Sequence, residues 1–302
     1  MNSVDAAAGW GTDGQYHQVR EFQVGSTDGV TVAAYDFGGT GAPLLFCHAT
    51  GFCGMVWQPL AEALSSRFHC YALDFRAHGH STRPRGDDMA WNGMAEDIIA
   101  VVDAVSDGEP VRGVGHSLGG GSLVLAEAAR PGTLAACWAF EPILFASPPP
   151  EEDPDAPYRS HMSDQARRRR AVFDSRHQVY RRYRSRAPLD QLDDRCLRAY
   201  VQYGFRDRPD GRVELSCSPE SEARTYEQHR TGADELIGGL GIPYTLAIGS
   251  EIDRAAEAVV EVAARFPQLK LVRYPELNHF GPLQKPERLA DDIAAWFASA
   301  SA

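Results

Sequence analysis

Along most of the chain, short apolar runs alternate with longer stretches in which apolar residues recur every three or four positions. The first pattern marks strands buried on both faces and the second marks helices packed on one side. The runs predict strands near 19–25, 30–37, 43–47, 69–74, 111–116, 135–140, 243–249 and 269–274. Helices are predicted near 55–66, 92–106, 118–130, 255–266 and 284–299. Such alternation builds an α/β fold, a mainly parallel, twisted sheet of eight strands flanked by helices. It stops between 143 and 232. That segment opens on a proline-dense stretch, SPPPEEDPDAP, which can continue neither a helix nor a central strand. Asp164 to Arg186 and Leu189 to Tyr203 then read as helical, and RPDGR at 208–212 as a tight turn. The segment is too long for a plain connection. It is expected to be a helical cap inserted over the C-terminal edge of the sheet, with 1–142 and 233–302 forming the core.

Composition narrows this picture by exclusion. A chain of 302 residues can bury a full core, and no apolar run approaches the ~20 residues of a membrane helix. The first 18 residues lack both a basic start and an apolar stretch, so they do not read as a signal peptide, and a cytoplasmic protein is expected. A net charge of −11 argues against a nucleic-acid partner. The one basic run, Arg167 to Arg170, reads as a solvated helix face. Six cysteines without a CxxC pair, and without histidines at zinc-finger spacing, predict neither a structural metal nor a disulfide framework. No cofactor is expected. The oligomeric state is left open, a homodimer included.

Candidate chemistry begins at Gly115-His116-Ser117-Leu118-Gly119, between a predicted strand and a predicted helix. Glycine on either side lets the serine occupy a strained turn that lifts its hydroxyl clear of the sheet. The helix N-terminus and the Leu118 amide then face any anion formed there. Near the C-terminus, ELNHFGPL at 276–283 follows the last predicted strand and carries His279.

These motifs resemble the α/β-hydrolase superfamily, a likeness that also covers LLFCHATGF at 44–52 and DFRAHGHS at 74–81. The 276–283 segment resembles the family's histidine loop, which implies His279 as the general base. The resemblance further implies a Ser–His–acid triad, an oxyanion hole from the Thr50 and Leu118 amides, and a structural role for the 74–81 turn with His78 and His80. Ala49 stands where the family usually has glycine. The chain departs more seriously after the strand at 243–248, where the slot that usually carries the acid is Ile252. Either a longer loop brings Asp253 or Glu251 into use, or the acid is Glu141, 24 residues after Ser117 at the end of an earlier apolar strand. Pancreatic-type lipases and zearalenone-type lactonases carry their acid after this strand. Glu141 ranks first because a carboxylate leaving an apolar strand needs a partner, which His279 would be.

A serine nucleophile excludes the carboxylate-dependent dehalogenase- and epoxide-hydrolase-like chemistries. Phe52, Trp57, Ala49 and Phe145 are expected to line an apolar pocket. The leading expectation is an ester or lactone hydrolase acting on a hydrophobic small molecule. Hydrolysis of a carbon–carbon bond in a ring-cleavage product, and a ligand-binding member of the fold with little catalysis, are the other readings.

Overall fold

The computed structural model describes residues 19–145, 160–228, 231–250 and 254–300. Eight strands form one sheet: β1 (Arg20–Gly25), β2 (Thr31–Gly39), β3 (Ala42–Cys47), β4 (Phe68–Leu73), β5 (Val111–His116), β6 (Leu134–Phe140), β10 (Tyr244–Ile248) and β11 (Lys270–Arg273). Their order is β1-β2-β4-β3-β5-β6-β10-β11. β2 pairs antiparallel with β1 and β4, and every other pairing is parallel. The sheet and its helices bear out the α/β fold that the apolar runs predict.

Alternation along β3 shows why these runs become central strands. Leu44 and Phe46 point into the core on one side of the sheet, Leu45 and Cys47 into the core on the other, and all four are fully buried. Each such side chain contributes roughly 1.5–3 kcal/mol on leaving water. α1 (Gln58–Leu64) and α11 (Pro286–Ala300) cover the first face; α2 (Trp91–Ser106), α3 (Leu118–Ala129) and α9 (Arg254–Arg265) cover the second. Among the described residues, no helix is long and apolar enough to cross a membrane.

Between β6 and β10 lies an insertion with its own small sheet. It contains α4 (His161–Arg167), β7 (Val172–Phe173), α5 (Arg176–Arg184), α6 (Asp194–Tyr203), β8 (Phe205–Asp207), β9 (Val213–Leu215) and α7 (Pro219–Glu227), followed by α8 (Ala233–Leu236). The strands pair antiparallel in the order β7-β9-β8, with the 208–212 turn joining β8 to β9. Two expectations are corrected here. The helix foreseen over 164–186 is broken, because residues 168–171 leave α4 and the chain enters β7. The run Arg167–Arg170 is solvated only at Arg168 and Arg170, while its other two members turn to α7. Arg167 binds Glu220 and Glu227 on α7, and Arg169 binds Glu222 on the same helix.

Candidate active site

Ser117 stands between β5 and α3 with φ 53° and ψ −115°, a conformation that L-residues adopt only under constraint. The constraint is visible in its backbone. The Ser117 N–H donates to the Phe140 carbonyl at 3.0 Å, and its own carbonyl accepts from Gly121 and Ile143 at 3.2 and 3.1 Å. The flanking glycines allow this packing. A Cβ at 115 would lie 2.6 Å from the backbone of Gly120, and one at 119 would strike the Cys47 carbonyl. The 12-residue α3 starts at Leu118, so its N-terminus faces the same corner.

His279 comes from the loop after β11, and Glu141 from the residue after β6. The His279 Nδ1–H donates to Glu141 Oε2 at 2.7 Å. Glu141 is fully buried, has φ 41°, and its Oε1 accepts the Gly249 N–H at 2.8 Å. A carboxylate so enclosed is tolerable because both of its oxygens are satisfied. With Nδ1 carrying the proton, Nε2 of His279 is left with its lone pair. The turn after β10 thus supplies the Gly249 amide to the Glu141 carboxylate. Its next residue, Ser250, donates its N–H to the Leu277 carbonyl at 2.7 Å and ties this turn to the histidine loop. Asp253 and Glu251 lie outside the described residues.

His116, which sequence reasoning passed over, joins the two halves of this corner. Its Nε2–H donates to the His279 carbonyl at 2.7 Å, and the two rings are 5.0 Å apart. Burial and the neighbouring His279 hold His116 neutral. The residue beside the serine thus anchors the backbone of the distant histidine.

On the opposite side runs the 48–52 loop, with Thr50 buried beside the sheet edge. His48 Nδ1–H donates to the Ala49 carbonyl at 2.8 Å while its Nε2 accepts the Phe75 N–H at 3.1 Å. His78 Nε2 accepts the Gly51 N–H at 3.0 Å, and its Nδ1–H donates to the Arg76 carbonyl at 2.9 Å. Both rings must be neutral to accept, and burial lowers both, His78 to about 4. The 74–81 turn is itself fixed by Asp74, which accepts from Gly54, His80 and Tyr35, and by Arg76, which is paired with Asp97.

The residues expected to line a pocket divide. Phe52 sits between Tyr200 and Phe280, with ring centroids 4.7 and 5.9 Å away, next to His279. Ala49 is buried in the loop itself. Trp57 belongs to the core and corrects the expectation of a pocket wall: it is fully buried with its ring stacked 5.3 Å from Phe46. Phe145 is exposed at the last described position before 160.

The model of the alpha/beta hydrolase family matches residues 44–292. Protein phosphatase methylesterase 1 of Rattus norvegicus is 34% identical over 113 residues, covering 35% of this chain and 29% of that protein. The chain thus spans less than a third of the length of such curated relatives. 2-(Acetamidomethylene)succinate hydrolase of Mesorhizobium japonicum is 38% identical over 93 residues, 31% of this chain and 33% of that protein. Among solved structures, that of an E-2-(acetamidomethylene)succinate hydrolase superposes with a TM-score of 0.76 at 23% identity, over 93% of this chain and 100% of the other.

Proposed function

We propose, for a chain that belongs to the alpha/beta hydrolase family, that Ser117, His279 and Glu141 form a catalytic triad cleaving an ester or lactone of a hydrophobic small molecule. The observation that carries this reading is the Glu141–His279 hydrogen bond at the corner where the strained serine stands. A Glu141 carboxylate fixes the His279 tautomer and stabilises the imidazolium formed when His279 Nε2 takes the Ser117 proton. The freed oxygen attacks the carbonyl carbon. The Thr50 and Leu118 amides stabilise the oxyanion, and α3 adds its positive end. His279 then returns the proton to the leaving alcohol. Water repeats the sequence on the acyl-enzyme, with His279 as base, and restores Ser117. Phe52 and Phe280 offer an apolar wall for an acyl chain or ring.

The test is covalent and kinetic together. A fluorophosphonate probe is expected to modify Ser117, identified by mass spectrometry, and p-nitrophenyl esters of graded chain length to be turned over. Ser117→Ala is expected to lose labelling and at least ~10³-fold of turnover. Turnover that survives Ser117→Ala overturns the assignment. Cleavage of a vinylogous diketone without turnover of simple esters would move the reaction to carbon–carbon hydrolysis.

A further inference from the structure

The insertion meets the 48–52 loop around Gly51 and Phe52. Gly51 has φ 80°, and a Cβ there would lie 3.0 Å from Arg169 Nη1 and 3.2 Å from Glu222 Oε1, so two charged side chains of the insertion press directly against the loop. The Tyr200 O–H donates to the Gly51 carbonyl at 2.9 Å, while Arg169 Nη2 donates to the Tyr200 oxygen at 3.0 Å. Arg169 is itself held by the Glu222 carboxylate. Burial keeps Tyr200 protonated, so its hydroxyl remains a donor. Gly51 is thereby gripped at both of its polar atoms, its N–H by His78 from the core and its carbonyl by Tyr200 from the insertion.

The same insertion also reaches the histidine loop. Gln191 Oε1 accepts from Asn278 Nδ2 at 2.8 Å and from Gln284 Nε2 at 3.1 Å, and the Asp193 N–H donates to the Leu283 carbonyl at 2.8 Å. One inserted segment therefore touches both loops flanking the serine. A segment acting only as a cover would not need polar bonds to the backbone behind the reacting groups.

From this geometry we propose that the insertion is a brace for the catalytic loops, and that Tyr200, oriented by the Arg169–Glu222 pair, is a positioning residue that fixes the Gly51–Phe52 peptide. The N–H of that peptide in turn holds the Ala49 carbonyl at 3.1 Å, and with it the Ala49–Thr50 peptide that would carry the oxyanion donor. The inference rests on the serine-hydrolase reading above. A hydroxyl on the Gly51 carbonyl fixes the plane of the Gly51–Phe52 peptide, and the Phe52 N–H, bonded to the Ala49 carbonyl, passes that orientation to the peptide carrying the Thr50 N–H. An oxyanion donor displaced by a fraction of an ångström forfeits much of its value in the transition state while leaving substrate binding nearly intact.

The test uses the full chain, with p-nitrophenyl acetate and a fluorophosphonate as probes. Tyr200→Phe, which deletes one oxygen, is expected to lower kcat about ten- to a hundredfold with KM changed less than about twofold, and to slow Ser117 labelling in parallel. The pH dependence of kcat/KM should keep its midpoint, because the Glu141–His279 pair is untouched. Arg169→Met should reproduce the defect more weakly, and Arg212→Ala, in the β8–β9 turn, should leave both rates unchanged. A Tyr200→Phe protein with wild-type kcat and labelling rate overturns the proposal, as does a loss confined to KM. Failure of the wild type to be labelled at Ser117 would instead sink the serine-hydrolase reading itself.

Discussion

In the eight-stranded sheet, the residues that hold the reacting corner in place are apolar and close to one another along the strands. Leu44 to Cys47, Val114, Trp138, Ala139 and Phe140 are buried, and the strand ends they fix carry Ser117 and Glu141. The insertion between β6 and β10 adds many charged contacts to its packing, several of them between residues far apart in sequence. Arg167 joins α4 to Glu220 and Glu227 on α7, Arg176 pairs with Asp207, Arg208 pairs with Glu214, and Arg195 reaches Glu287 on α11. Its aromatic cluster of Phe173, Tyr183, Tyr200 and Phe205 packs with buried aliphatic residues such as Val179, Leu197, Val201 and Leu215. The sheet is thus secured by burial, which is non-directional, and the insertion by burial together with oriented charged bonds, which depend on partner geometry and are screened by salt.

The sharpest way to break this division is at Glu141, where the sheet side supplies a charge. Glu141→Gln presents an amide to His279 Nδ1 and favours the wrong tautomer, and we expect turnover of p-nitrophenyl esters to fall roughly 10²- to 10⁴-fold. Asp253→Asn should change it little. The reverse ranking, measured under identical conditions, would move the acid to the loop after β10 and leave Glu141 as a packing residue.

How much of this was legible follows the same line. Central strands could be read because a strand buried on both faces must be apolar throughout, and Cys47, Cys70 and Cys137 fit such runs as small hydrophobes. β7, β8 and β9 were not foreseen, since two or three residues cannot carry an alternation. Glu141 could be ranked because an acid ending an apolar strand needs a partner. Trp57 was misread because an aromatic near a loop looks the same in sequence whether it faces a cavity or packs on Phe46. Within the basic run at 167–170, Arg167 and Arg169 were misread because their carboxylate partners lie more than 50 residues away on α7, whereas Arg168 and Arg170 are exposed. Nothing in the local pattern ties Tyr200 to Gly51, 149 residues earlier.

A smaller effect is expected where the two regions meet, at His78. Its neutral ring accepts the Gly51 N–H, with His48 behind it and the Arg169 guanidinium in front. Burial lowers its pKa from 6.5 in the unfolded chain to about 4. Between those values the unfolded state binds the extra proton, so the stability owed to neutral His78 is complete above pH 6.5 and is lost as pH falls toward 4. The stability advantage of wild type over His78→Asn, measured by urea unfolding, should therefore shrink by on the order of 2 kcal/mol between pH 7.5 and 4.5. An advantage constant across that range would mean that the ring is charged in the fold.

The smallest effect separates the two regions most directly. Arg167 is about one-third exposed and bridges two carboxylates, so Arg167→Met should cost about 1 kcal/mol or less at low salt, and most of that difference should vanish in 1 M NaCl as the pair is screened. Leu44→Ala, in the middle of β3, should cost about 2–5 kcal/mol through the cavity it leaves, with the difference from wild type unaffected by salt. Both can be followed by thermal unfolding at 0.05 and 1 M NaCl. If Arg167→Met proved as costly as Leu44→Ala and equally indifferent to salt, the insertion would be held by packing alone, like the sheet. Its charged pairs would then mark position without supplying the cohesion assigned to them.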